Sequence, residues 1–145
     1  MEDIKEKALD AWLQLLTAVN TERIVTSMTF NEAVVCNILN RNKEKVFTAT
    51  ELCNKMKMQK SLMNRTLTSM EEKGWISRIR STLDKRQVFV KWNEQANAIY
   101  EKEHEAVLNL VDRILSKVGY EKANEVIQMF SLIASVAQGE IQWFV

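Results

Sequence analysis

The 145-residue chain has no proline and only three glycines. The two residues that break helices are nearly missing, so long uninterrupted helices are expected. Its two cysteines, Cys36 and Cys53, are too few for a disulfide scaffold and too far apart for a CxxC clip. The lone histidine, His104, leaves no convincing Ser/His/Asp set. His104-Glu105 opens like the metalloprotease HExxH, but Leu108 stands where the second histidine belongs. Glycine-rich phosphate loops are missing too, so neither catalysis nor a cofactor or metal is expected. No apolar run exceeds the four residues Ala33–Cys36, whereas a membrane helix needs about 20, so no membrane partner is expected. Met1-Glu2-Asp3-Ile4-Lys5 is mixed in charge rather than basic-then-apolar. With so few cysteines, that points to a reducing, cytoplasmic setting. What remains is 46% apolar and 27% charged, which suits one domain with a hydrophobic core, or one protomer of a compact dimer.

The formal net charge of +1 conceals a strong asymmetry. Residues 1–40 carry three Lys/Arg against six Asp/Glu, residues 41–91 thirteen against five, and residues 92–145 four against eight. A basic middle between acidic flanks is the electrostatic footprint of a polyanion partner, although a solvated charged face has the same composition.

The hydrophobic period gives the order of elements. A first helix is expected over 3–25, with Ile4, Ala8, Ala11, Leu15 and Val19 at helical spacing. Leu9, Trp12, Leu13 and Leu16 widen its apolar face beyond what one small core can cover. Thr29 with Glu32 forms a capping box that opens a helix burying Phe30, Val34, Val35, Ile38 and Leu39. Thr48 and Glu51 suggest a second box, with Leu52, Cys53 and Met56 inward. After a turn at 57–59, residues 60–73 bury Met63, Leu67 and Met70, and Gly74 takes the left-handed C-cap position. The period then switches to alternation in 75–80 and 87–92, two strands joined by the polar, basic loop 81–86. Two short helices joined by a tight turn, then a hairpin, form a winged helix-turn-helix. Asn93 is the expected N-cap of a long helix to about Lys117, which Gly119 breaks. A last helix begins near Glu121, and the chain ends on an apolar Trp143-Phe144-Val145 tail expected to pack against a partner. The fold class is thus mainly α with a small β-hairpin. Its expected parts are an N-terminal dimerisation helix (1–28), a winged helix-turn-helix (29–92) and C-terminal dimerisation helices (93–145).

Three stretches carry a family resemblance: Thr50-Glu51-Leu52-Cys53, Met70-Glu71-Glu72-Lys73-Gly74-Trp75-Ile76, and Arg78 followed by Asp84-Lys85-Arg86. In order and spacing they resemble the multiple-antibiotic-resistance regulator (MarR) family of bacterial winged-helix repressors. The resemblance spans most of the chain, and Asp84-x-Arg86 is its most specific element. Trp92-Asn93, Ala96 and Cys53 depart from the usual pattern, away from the DNA-reading surface. The resemblance implies a cytoplasmic homodimeric repressor that a small-molecule effector releases from double-stranded DNA.

The core stripe of residues 60–73 leaves Lys60, Ser61, Asn64, Arg65 and Thr68 outward. These types suit a major groove: arginine forks onto guanine, asparagine onto adenine, and hydroxyls reach phosphate or base edges. In the wing, Arg86 is expected in a minor groove with Arg80 and Lys85 near phosphate. Asp84, useless against a polyanion, is expected to orient the wing by accepting hydrogen bonds from Arg86 or Arg78. A two-fold dimer would meet half-sites about one helical turn apart, hence a pseudo-palindromic operator. Two other readings fit the sequence: a winged helix used for protein contact, and a thiol-switched repressor sensing through Cys53, which has Lys55 and Lys57 nearby. His104 is expected to be a solvated surface histidine. Trp12 and Phe30 are candidates to line an effector pocket.

Overall fold

A computed structural model describes residues 3–19 and 27–141. The chain separates into two compact units, Met1–Ala106 and Val107–Val145.

In the first unit, α1 spans Ile4–Ala18, opened by the Asp3 carboxylate accepting from the Lys5 amide and closed at Val19. It is shorter than the expected 3–25; residues 20–25 lie outside those described. Helix α2 (Phe30–Arg41) begins with the capping box read from the sequence. The Glu32 amide donates to the Thr29 hydroxyl at 3.2 Å, and the Thr29 amide to the Glu32 carboxylate at 2.9 Å. Strand β1 (Phe47–Thr48) leads into α3 (Ala49–Met56), where Thr48 caps the Glu51 amide; its own amide is not part of a reciprocal box. Lys57 turns the chain at φ 53°, and α4 (Lys60–Glu72) follows. That helix ends in a Schellman motif: the Gly74 amide donates to Glu71 O and the Trp75 amide to Met70 O, both at 3.0 Å, around Gly74 at φ 79°. A side chain at Gly74 would be strained by this backbone, although space exists around it.

Strands β2 (Ile76–Arg80) and β3 (Val88–Trp92) pair antiparallel from Ile76–Trp92 to Arg80–Val88. The expected hairpin gains a third strand, because β1 pairs with β3 through Phe47–Val90 and Thr48–Phe89, giving the order β1-β3-β2. Two residues are too short a run to show a period of two, so periodicity does not reveal β1.

Asn93 does not cap the long helix with its side chain. It donates instead to Gly74 O and accepts from the Ser77 hydroxyl, tying the end of α4 to the end of β3. A 3-10 turn, Glu94–Ala96, then precedes α5 (Asn97–Val118), and the Trp92 indole donates to Asn97.

The core comprises Val35, Cys36, Leu39, Phe47, Leu52, Met63, Leu67, Met70, Trp75, Ile76, Val90 and their neighbours. Phe30, expected inside, is 63% exposed, and Val34 and Ile38 are half-buried. The helix turns its buried face through Glu32, Val35, Cys36 and Leu39 instead. Glu32 is only 1% exposed, and the Lys73 ammonium holds its carboxylate at 2.9 and 3.0 Å. The Ser69 hydroxyl donates to the same carboxylate, so a buried charge fastens α2 to the C-terminal end of α4. Lys73 also donates to Ser27 O and lies 4.7 Å from the Trp75 ring centre. His104 is not a free surface residue: it is half-buried and stacks on Tyr100 at 5.4 Å.

In the second unit, α5 ends before Gly119 (φ 109°), and a 3-10 turn at Tyr120–Lys122 leads into α6 (Ala123–Ile141). The Tyr120 hydroxyl donates to the Asp112 carboxylate. Leu108, Val111, Ile114, Val118, Ile127, Phe130 and Ile133 are all substantially exposed. The tail expected to pack against a partner lies outside the described residues.

The Glu32–Lys73 pair leads to an asymmetric expectation. Lys73→Ala strands a buried carboxylate and should cost on the order of 2–3 kcal/mol, below the ~3–5 of a fully buried pair because the lysine is partly hydrated. Glu32→Gln, which keeps the Thr29 contact and lets the lysine hydrate, should cost less. Urea unfolding of both variants measures the difference, and equal losses would contradict this account.

Candidate nucleic-acid interface

Helix α4 is anchored by Met63, Thr66, Leu67 and Met70, all buried. A 3.6-residue period then forces Lys60, Ser61, Asn64 and Arg65 outward, and all four are exposed. Thr68 corrects the expected set. It is half-buried, and its hydroxyl accepts from the Arg78 guanidinium at 3.0 Å.

Arg78 itself departs from the wing-orienting role expected of it. From strand β2 its guanidinium reaches back to Asn64 Oδ1 at 3.0 Å and to the Glu71 carboxylate, which also accepts from the Arg78 amide at 2.9 Å. These bonds hold the Glu71 carboxyl below the ordinary carboxylate range. Its charge is therefore engaged inside the protein, and it fixes the orientation of Asn64.

The wing tip is built as expected around Asp84, with Arg86 rather than Arg78 as partner. The Asp84 carboxylate accepts from the Arg86 amide at 3.0 Å and from its Nε at 3.1 Å, and these contacts lower the carboxyl's pKa. Ser81 closes the turn from the other side: its hydroxyl accepts from the Leu83 and Asp84 amides at 3.2 Å, and its amide donates to Gln87 O at 2.9 Å. Arg80 braces the tip by donating to Lys85 O. The Arg86 side chain remains 92% exposed despite its ion pair.

Between α4 and the wing lies a groove of about 800 Å³ bordered by Lys60, Ser61, Asn64, Arg78, Arg80 and Arg86. The fold thus gathers five of the eight expected contact residues around one depression. Arg65 and Lys85 are exposed outside its lining, and Thr68 is held by Arg78. Among the described residues, Lys60, Arg65 and Lys85 have no carboxylate partner within ion-pair distance. A groove with the unpaired Lys60 in its lining and Arg65 and Lys85 beside it attracts a polyanion at long range and leaves these hydrogen-bond donors free for it. The sequence reading missed the internal use of Arg78. Its spacing from Glu71, across a helix end and into a strand, follows no local period.

Neither thiol is shifted toward the thiolate. Burial pushes Cys36 up to about 12, with the Glu32 carboxylate adding to the effect and Lys73 opposing it. Cys53 is also raised by burial, against the pull of Lys60. A reactive thiol needs the opposite shift. Among the described residues, no group of three His, Cys, Asp or Glu side chains is placed to hold a metal. No described helix is long and apolar enough to cross a membrane.

Residues 33–88, which run from α2 to the first residue of β3, match the family model of the MarR family. Among curated proteins none matches the chain. Several solved structures share the fold. Wild-type MarR from E. coli in its apo form is 22% identical, with 94% of this chain and 98% of that one covered and a TM-score of 0.64. FabT from Streptococcus pneumoniae, solved in complex with DNA, is 14% identical over 93% and 98% of the two chains at a TM-score of 0.72. The PcaV transcriptional regulator from Streptomyces coelicolor, solved with its natural ligand, is 16% identical over 95% and 96% at 0.75.

Both thiols should resist modification. At neutral pH iodoacetamide should leave Cys36 unlabelled until the chain unfolds and should label Cys53 more slowly than free cysteine. Labelling of the native protein at the free-thiol rate would revive the redox reading.

Proposed function

We propose that this chain, whose residues 33–88 match the model of the MarR family, is a homodimeric, sequence-specific repressor that grips double-stranded DNA and is released by a small-molecule effector. The observation that carries the reading is the set of unpaired cations on α4 and the wing. In this reading Lys60, Ser61, Asn64 and Arg65 work at the major groove, Asn64 in the setting that Arg78 gives it, while Thr68 holds Arg78 behind them. Arg86 enters the adjacent minor groove, and Arg80 and Lys85 serve the phosphates beside it. A protein bound to a duplex site excludes others from that site, so repression follows where the site overlaps one that transcription needs.

Dimerisation is supported by apolar surface that the single chain leaves open. Helix α1 has no buried residue, and Ile4, Leu9, Trp12, Leu13 and Leu16 are all more than half exposed. Along α6 most of the apolar side chains are exposed as well. At about 25 cal/mol per Å² of apolar area, covering such faces with a second copy is strongly favourable. The division into dimerisation helices at 1–28 and 93–145 around a DNA-binding 29–92 belongs to this proposal.

Effector release is supported by an open, largely polar depression of about 480 Å³ lined by Leu39, Lys43, Lys45, Lys91, Trp92 and Asn97, among others. Its size suits a small organic ligand. Trp12 and Phe30, expected at such a pocket, are 52% and 63% exposed and do not line it.

Selection of bound duplexes from a random library should return a pseudo-palindrome with half-sites about 10 bp apart. On the selected duplex, Arg86→Ala should bind at least tenfold more weakly with circular dichroism unchanged, and Lys85→Ala, which loses a phosphate contact, should make the log–log salt slope shallower by about 0.9. Unchanged affinity would overturn the DNA reading. In sedimentation the protein should run as a dimer; a concentration-independent 16.8 kDa species would end the two-fold part of the proposal.

A further inference from the structure

The wing tip is a polar, basic loop in sequence, yet its most exposed large side chain is apolar. Leu83 is 99% exposed, the highest exposure among the large hydrophobic side chains of the described residues. A lone leucine on a surface is ordinary. What sets this one apart is its mounting. Its amide is held at 3.2 Å by the Ser81 hydroxyl, which also binds the Asp84 amide. The turn is closed by Ser81 to Gln87 and by Gln87 to Asp84 O, both at 2.9 Å. Arg80 and the Asp84–Arg86 pair brace it further. The leucine therefore stands on a stiff tip, three residues from Arg86 and two from Lys85, with no protein surface against it.

We infer that Leu83 is a minor-groove wedge: its isobutyl group enters the duplex beside Arg86 and loosens the stacking of one base step. This rests on the DNA reading above and adds a contact made by no charge. Apolar side chains inserted at base steps partly unstack them and bend the duplex, and a rigid mount with flanking cations supplies the direction and the attraction such insertion needs. Occupancy by DNA, rather than by an apolar protein surface, follows from the charge around the leucine. Lys85 and Arg86 are strongly exposed on the same turn and would oppose burial in an apolar partner.

The test uses the full-length protein and the duplex selected by the wild type, with 2-aminopurine placed in turn at the steps under each wing. Wild-type binding should raise the fluorescence at one step per half-site. Leu83→Ala should weaken binding about tenfold at every salt concentration while leaving the log–log salt slope unchanged, because no phosphate contact is lost. The fluorescence rise should vanish with it, and Leu83→Met should restore most of both. Since Leu83 touches nothing in the folded chain, these variants keep its stability. Wild-type binding without a fluorescence change, or Leu83→Ala binding as tightly as wild type, overturns the wedge and leaves the DNA reading intact. Failure of the wild type to select any duplex overturns both.

Discussion

The carboxylate of Glu32 is a charge the fold cannot leave unanswered. It lies at 1% exposure, and its partners come from three places: the Thr29 amide at its own helix start, Ser69 within α4 and Lys73 at the end of α4. An unpaired carboxylate there would cost several kcal/mol on the order of a lost buried ion pair, so α4 has few alternative positions relative to α2. The placement of the groove beside α4 follows from that constraint. Once the C-terminal end of α4 is fixed, the Schellman turn at Gly74 sends the chain into β2, and β2 carries Arg78 back to the flank of α4. The groove between helix and wing has its width because both sides are tied to one short stretch of chain.

Most of this was legible where physics is local. Capping at Thr29, the Met63-Leu67-Met70 stripe, the glycine at the end of α4, the alternating strands and the Asp84–Arg86 pair each depend on residues a few positions apart. What stayed hidden depends on distance along the chain. Strand β1 is two residues long and exists because Phe47 and Thr48 meet Val90 and Phe89 of β3. Phe30 fits an apolar stripe equally well inside or outside, and the buried grip on Glu32 turned it outward. Asn93 reads as an N-cap by position, but Gly74 O and the Ser77 hydroxyl claimed its side chain first. The match to the MarR family covers the winged helix from within α2 to the first residue of β3, where those local signals are densest.

The arginines of the basic segment are not interchangeable, although composition counts them alike. Arg78 is engaged by Glu71, Asn64 and Thr68, and Arg80 donates within the tip. Arg86 is half-committed: Asp84 orients it through Nε and the backbone, while most of the guanidinium stays in water. Lys60, Arg65 and Lys85 are uncommitted among the described residues. The thirteen Lys/Arg against five Asp/Glu of residues 41–91 therefore overstate the charge available to a partner and understate its organisation. Free cations supply attraction that salt screens, whereas bound ones supply geometry that salt does not remove. A surface that both concentrates a polyanion and tells one sequence from another needs both kinds, and α4 and the wing carry them side by side.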